Sequence, residues 1–133
     1  MAYSESRPFS ACSDIYSIGL KTLITDVPDT MGPSVAGRLT TRLLGGISQD
    51  NVPEIKLECL EIITDLLKRF GHDIEPEHEN LMSTILQQLT NSKAVVRKRA
   101  TASLGSLAIV LSDPLLKRLT ETLLGMCFCL PTG

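Results

Sequence analysis

The chain has 133 residues, which allows one domain or a few short repeats and excludes a long multidomain enzyme. Apolar residues make up 43% of the chain and charged residues 21%, a composition typical of a folded protein. The net charge of −2 and the aromatic content of 4% argue against binding to nucleic acid, which requires positive surface charge and rings that stack on bases.

No segment of the sequence has the character of a membrane span. The longest apolar stretch, Leu104 to Leu111, is well short of the ~20 residues that cross a bilayer. The first residues include Glu5 and Arg7 and lack the apolar core of a secretory signal, so we expect the chain to stay in a reducing compartment. The cysteines, which we expect to be free thiols there, are Cys12, Cys59, Cys127 and Cys129.

In chain order, the apolar residues recur three and four positions apart and never alternate over a long run, which predicts helices throughout. Clusters of proline, glycine, asparagine and serine interrupt the pattern. The predicted fold class is therefore all-α. We predict helices near residues 10–26, 34–48, 53–70, 77–90, 93–111 and 114–127, followed by an atypical tail over 125–133.

Several of these boundaries carry capping residues. Residues 50–53 and 112–114 each place Asp, Asn or Ser ahead of a proline, so a side-chain oxygen is available to the first N–H groups of the following helix. Gly71 follows the third helix, and we expect it to end that helix in the left-handed conformation.

The predicted helices repeat along the chain. Apolar positions in residues 53–70 match apolar positions 41 residues later and 43 residues earlier, and residues 34–48 match residues 77–90 at an offset of 42. An ordinary helical bundle is the alternative, but it has no reason to keep one offset through successive helix pairs. A helix pair that recurs every ~40–47 residues is typical of HEAT and armadillo repeats. We therefore predict a HEAT-repeat α-solenoid of about three antiparallel helix pairs, incomplete at the C-terminus.

The densest basic cluster lies at the start of the fifth helix, and helix geometry separates its members. At ~100° per residue, Arg97 falls at the edge of the apolar stripe, as does Lys56 one repeat earlier, so we interpret both as structural cations that reach a helix end or an acid in a neighbouring repeat. Lys98 and Arg99 point away from the stripe and are the candidate partner contacts. The alternative is a solvated helix face with no partner.

The segment between the third and fourth helices carries four acidic residues and two histidines within residues 72–79. Two interpretations remain open. The acids could steer a charged partner, or they could form an exposed loop whose charges favour the N-terminus of the next helix.

The sequence lacks the patterns that enzymes and metal sites require. Cys127 and Cys129 form a pair without a second pair of ligands, and no Gly-rich loop carries the Lys and Ser/Thr of a nucleotide site. Cys12 and Cys59 fall on predicted core faces with no neighbouring histidine. We therefore predict no catalytic residue, no metal, no cofactor and no small-molecule substrate. A small thiol or metal enzyme is the competing hypothesis.

Three stretches of the chain carry a family resemblance: RPFSACSDIYSIGLKTLI from Arg7, IKLECLEIITDLL from Ile55 and ILQQLTNSKAVVRKRATASLGSLA from Ile85. Together they resemble the cullin-associated, neddylation-dissociated proteins, and AVVRKRA followed by LGSL in the third stretch is the most specific part. The similarity covers roughly residues 7–124 of this chain. It would cover only a small part of such a long HEAT-repeat protein, near its N-terminal end.

The resemblance implies a non-catalytic scaffold of the cytoplasm and nucleus that regulates cullin-RING ubiquitin ligases. Such a protein binds an unneddylated cullin and its RING subunit and promotes exchange of substrate receptors, a step that depends on the opposite end of the full protein. The residues after Leu124 depart from the family pattern, so we interpret the chain as a fragment with an exposed apolar end on its last helix. The alternative is a HEAT-repeat segment of another scaffold, such as a nuclear transport receptor.

Overall fold

A computed structural model describes residues 9–30, 32–48 and 52–129, and the all-α prediction is confirmed. A 3₁₀ segment, Gly71–Glu77, joins the third and fourth helices. The α-helices of the described residues are α1 (Phe9–Asp26), α2 (Gly32–Ser48), α3 (Pro53–Phe70), α4 (His78–Gln88), α5 (Ala94–Val110) and α6 (Asp113–Cys129).

The last helix continues past the point where we predicted an atypical tail. α6 runs through Gly125 to Cys129, and residues 130–133 lie outside the described part of the chain. A single glycine weakens a helix by ~1 kcal/mol but does not end it, and no proline follows until Pro131. The beginning of the expected tail is therefore helical.

Two of the three capping predictions concern the ends of α3. Gly71 was expected in the left-handed conformation, but its φ of −53° and ψ of −40° are right-handed helical. Its missing side chain serves packing instead, because a Cβ atom there would lie 2.8 Å from Cγ1 of Val110 in α5. At the start of α3, Val52 occupies the N-cap position without a side-chain cap, and the proposed caps Asp50 and Asn51 lie outside the described residues.

The helices form two layers. The first layer contains α2, α4 and α6, and the second contains α1, α3 and α5, with α3 packed between its two neighbours. α2 packs on α3 and α4 packs on α5, so each pair contributes one helix to each layer. α6 joins the first layer through the buried Leu119 and through an ion pair between Arg118 and Glu79 of α4. This is the stacked-pair arrangement of a HEAT-repeat solenoid.

Equivalent positions of successive repeats fill the core. Cys59 and Ala100 are both buried, as are Leu66 and Leu107, and each pair is 41 residues apart. Each fully buried leucine or isoleucine contributes ~1.5–3 kcal/mol to folding, so the repeated stripe supplies much of the stability. The match weakens in α1, where Leu23, the counterpart of Leu66, is 41% exposed because no described helix packs against that side.

The last helix exposes apolar side chains, as the sequence analysis expected. Leu116 is 37% exposed and Leu124 is 51% exposed.

None of the helices in the described ranges combines the length and apolarity that crossing a membrane would require.

Candidate protein-binding surface

The outer side of the second layer carries a chain of ion pairs that spans three helices. The carboxylate of Glu61 in α3 binds Nζ of Lys21 in α1 at 2.8 Å and Nη1 of Arg99 in α5 at 3.1 Å. The hydrogen bond from Lys21 is the main cause that holds the pKa of Glu61 below its usual value, and Arg99 adds to the effect. The ion pairs therefore lie where α1, α3 and α5, which belong to three neighbouring repeats, pack side by side.

Arg99 does not point freely into solvent as the helical wheel predicted. Its side chain is 40% exposed and is held by Glu61 of the adjacent helix. The wheel describes one isolated helix, whereas α5 lies beside α3, so this position faces a neighbour. Lys98 is exposed and has no ion-pair partner among the residues that the structure describes. Of the two candidate contacts, Lys98 alone is an unengaged cation.

Lys56 and Arg97 occupy equivalent places in successive repeats, and both bind a backbone carbonyl near the end of the preceding helix. Nζ of Lys56 donates to the carbonyl of Ile47 at the end of α2, and Nη1 of Arg97 donates to the carbonyl of Asn91 just after α4, at 2.7 Å. Each cation therefore donates to a carbonyl at or just beyond the C-terminal end of the preceding helix, where helical N–H partners run out. Both carbonyls belong to the cation's own helix pair and not to the neighbouring repeat that the sequence pattern predicted.

Lys56 and Arg97 differ in burial. Lys56 is buried at 9% exposure, whereas Arg97 is exposed and lies over the turn between its two helices. Arg97 therefore does not lie at the buried edge of the apolar stripe, where helix geometry placed it. A contact between repeats is made instead by Gln88 of α4, whose Nε2 donates to the carbonyl of Ile47 at 3.4 Å.

Arg69 makes four hydrogen bonds between repeats, and sequence reasoning missed them. Its guanidinium, in the last turn of α3, donates to the carbonyls of Ile24, Thr25 and Val27 at the end of α1 and to the carboxylate of Asp29. The sequence offered one indication of this contact, the basic pair Lys68 and Arg69 just before Phe70 at the end of a predicted helix. Such a pair usually interacts with the carbonyls of its own helix, so the sequence did not show the actual partner.

A buried polar contact fixes α5 against α3. The hydroxyl of Ser103 donates to the carbonyl of Leu60 at 3.0 Å and lies 2.8 Å from the hydroxyl of Thr64. Ser103 is fully buried, so these hydrogen bonds satisfy groups that water cannot reach. The spacing of the two helices is therefore set by specific contacts as well as by apolar packing.

The acidic segment is a 3₁₀ turn with one buried histidine. His78 is 1% exposed, and its Nε2 lies 2.6 Å from the carbonyl of Gly71. Glu79 pairs with Arg118 of α6, whereas Asp73 and Glu75 remain exposed. His78 thus closes the turn, and Asp73, Glu75 and the half-buried Glu77 have no ion pair among the described residues.

The described thiols have no arrangement for nucleophilic chemistry. Cys59 is 3% exposed, and burial, together with the nearby charge of Glu58, raises its pKa to about 11. The thiol is therefore protonated and unreactive at neutral pH. Cys127 is exposed, and the side chains of Cys12 and Cys129 are not described. Within the described ranges, no group of three or more His, Cys, Asp or Glu residues is placed to bind a metal.

Comparison with known proteins places this architecture in a class. The family model for the HEAT-repeat domain of "Proteasome adapter and scaffold protein ECM29" matches residues 20–128. Fold and match together define a HEAT-repeat scaffold segment.

The curated relatives give the particular family. Cullin-associated NEDD8-dissociated protein 1 of Arabidopsis thaliana is 40% identical over 108 residues, or 80% of this chain, and that of Drosophila melanogaster is 40% identical over 72% of it. Cullin-associated NEDD8-dissociated protein 2 of Rattus norvegicus is 34% identical over 83% of the chain. The chain belongs to the HEAT-repeat family of this model and to the cullin-associated NEDD8-dissociated proteins, and it corresponds to their N-terminal HEAT-repeat segment. It spans 8–9% of the length of these relatives.

Proposed function

We propose that this chain is the part of a non-catalytic scaffold that contacts an unneddylated cullin and its RING subunit, in the cytoplasm and nucleus. The observation that carries the proposal is the 40% identity to proteins named for association with cullins. In the full-length protein, the same contact would promote exchange of substrate receptors. A scaffold role also suits the fold, because a solenoid presents a long continuous surface and encloses no catalytic cleft.

The second layer is the proposed contact surface. It exposes Lys98 on α5, and the ion pairs of Glu61 connect its three helices. An exposed cation at a protein interface affects association rate and orientation more than fold stability. Arg99 supports this surface through Glu61, and Lys98 is the residue that would meet the partner.

A pull-down with the purified chain tests the proposal. The chain should retain unneddylated cullin–RING complex and retain less of the neddylated form. Lys98→Glu should reduce retention at least about fivefold, because reversing an interfacial charge replaces attraction with repulsion. Lys117→Glu is the matched control, since Lys117 is an exposed lysine of the first layer. Equal retention of the two cullin forms would refute the proposal, and retention of a small GTPase instead would favour a transport receptor.

A further inference from the structure

The exposed side of α5 is unusually apolar for a helix surface. Val95 is 56% exposed and Ile109 is 81% exposed, and Ala102 and Gly105 lie between them on the same side. With Lys98 between Val95 and Ala102, successive positions are three or four residues apart, so all five form one stripe along the helix. Solvent-facing helix surfaces are normally polar, and single exposed apolar residues are common, but a continuous stripe is typical of a contact surface.

The stripe ends in a groove between the last turns of α3 and α5. The groove has a volume of about 250 Å³, which is below the ~300–1,000 Å³ of a typical small-molecule site and suits an amino-acid side chain. Ile109 forms one edge, and Gly105 leaves open space beside it. The lining includes Leu67, Lys68, His72, Ser106, Ile109 and Val110.

The charges at the groove have one sign. Lys68 and Arg69 line it, and no carboxylate is among the lining residues. Arg69 is engaged by the carbonyls of α1 and by Asp29, whereas Lys68 is exposed and has no ion-pair partner among the described residues. Lys98 adds a second unengaged cation farther along the stripe. A ligand that fits must therefore combine an apolar group with negative charge.

We propose that this groove binds an acidic segment of a partner protein through one apolar anchor residue. The anchor side chain would contact Leu67, Ile109 and Val110, and carboxylates flanking it would lie near Lys68 and Lys98. The small residues Ala102 and Gly105 would let the backbone of the segment approach α5 closely. This inference rests on the proposed function in one respect, that the second layer is the side that meets the partner.

Two variants test the groove without disturbing the fold. Ile109→Glu removes the apolar edge and adds repulsion, and Lys68→Glu reverses the charge. Both residues are exposed, so melting temperatures should stay close to that of the unchanged chain. Leu124→Glu and Lys117→Glu are the matched controls, because they make the same changes at exposed positions of α6. Each groove variant should weaken binding to unneddylated cullin–RING at least about fivefold, and neither control should.

A peptide titration provides a measurement that does not depend on the cullin. The isotopically labelled chain is titrated with a short peptide of glutamates around one leucine, then with the same peptide carrying serine for leucine or lysines for the glutamates. Only the first peptide should shift the amide resonances of Ser106, Ile109 and Val110, and Ile109→Glu should abolish the shifts.

The outcomes separate the two proposals. If the cullin–RING complex binds all four variants as well as the unchanged chain, the groove inference is wrong and the proposed function stands. If the complex does not bind at all but the acidic leucine peptide shifts the groove residues, the proposed function is wrong and the groove inference stands. Equal response to the three peptides, or shifts confined to α6, would overturn the groove inference.

Discussion

Nη1 of Arg69 donates to the carbonyl of Thr25 at 2.7 Å, so a side chain at the end of α3 closes the end of α1, 44 residues earlier in the chain. The same guanidinium contacts the carbonyls of Ile24 and Val27 and stacks over the ring of Phe70, with 4.5 Å between Cζ and the ring centroid. One residue thus replaces the water that the C-terminal carbonyls of a helix otherwise require.

Replacing Arg69 should therefore weaken the packing of α1 against α3. Arg69→Ala should lower the free energy of unfolding by ~2–3 kcal/mol, because hydrogen bonds from a charged donor are lost and part-buried carbonyls remain unpaired. The free energy of unfolding of Arg69→Lys should lie between those of the unchanged chain and Arg69→Ala, since one ammonium cannot reproduce the planar set of donors. Urea unfolding measures the free energy of unfolding. Amide hydrogen exchange should show that protection is lost first in α1. Lys68→Ala, at the adjacent exposed position, is the control and should stay within ±0.5 kcal/mol.

The three-helix ion-pair chain predicts a small dependence of stability on pH. The pKa of Glu61 is lower in the folded chain than in the unfolded chain, so its contribution is complete above roughly pH 4.3 and is lost as the pH falls through the lower folded value. Because the side chains are 32–40% exposed, the contribution should be only ~0.5–1 kcal/mol. The free energies of unfolding of the unchanged chain and of Glu61→Gln should differ at pH 7 and converge as the pH falls through the folded pKa of Glu61. A constant difference across this range would contradict the assignment.

The close approach of Gly71 to α5 predicts an overpacking effect. Gly71→Ala should cost ~1–3 kcal/mol, because its methyl group would lie 2.8 Å from Cγ1 of Val110. Val110→Ala in the same chain should recover most of that loss, and a double-mutant cycle measures the coupling. For comparison, Gly105→Ala should be neutral or slightly stabilising, since nothing lies within 4 Å of its added atom. Additive losses at positions 71 and 110 would mean that the two residues do not touch.

Burial of Cys59 predicts slow thiol chemistry. With a pKa of about 11, only ~0.1% of this thiol is ionised at pH 8, and its 3% exposure blocks reagents as well. In a chain whose other three cysteines are replaced by serine, Cys59 should react with a disulfide reagent only as fast as the protein opens. Adding denaturant should raise the rate steeply. Fast labelling of the native chain would show that the core around Cys59 is open.

The first layer illustrates what local pattern can and cannot predict about the fold. The apolar spacing that predicted a helix over 34–48 depends on residues close in the chain, and α2 spans 32–48. The role of Gly71 depends on Val110, 39 positions later, because α5 comes too close for a side chain at position 71, and the left-handed role common for glycine at a helix end does not apply.

For the candidate surface too, the sequence predicted properties of a single helix but not contacts between helices. Helical geometry showed that Lys98 lies off the buried stripe, because that property belongs to a single helix. It could not show that Arg99 meets Glu61, or that Arg69 and not Arg97 joins one repeat to the next. Those contacts depend on how close α5 lies to α3, and α3 to α1.

The sequence by itself determined the helical class, the repeat of about forty residues and the family, because each of these is recorded in the order and spacing of side chains. Only the tertiary structure decided which cations are engaged and which are available, and where a groove forms between α3 and α5. The physical reason is that a charged side chain is positioned by the nearest unpaired carbonyl or carboxylate, and in a stacked solenoid that group often belongs to another repeat.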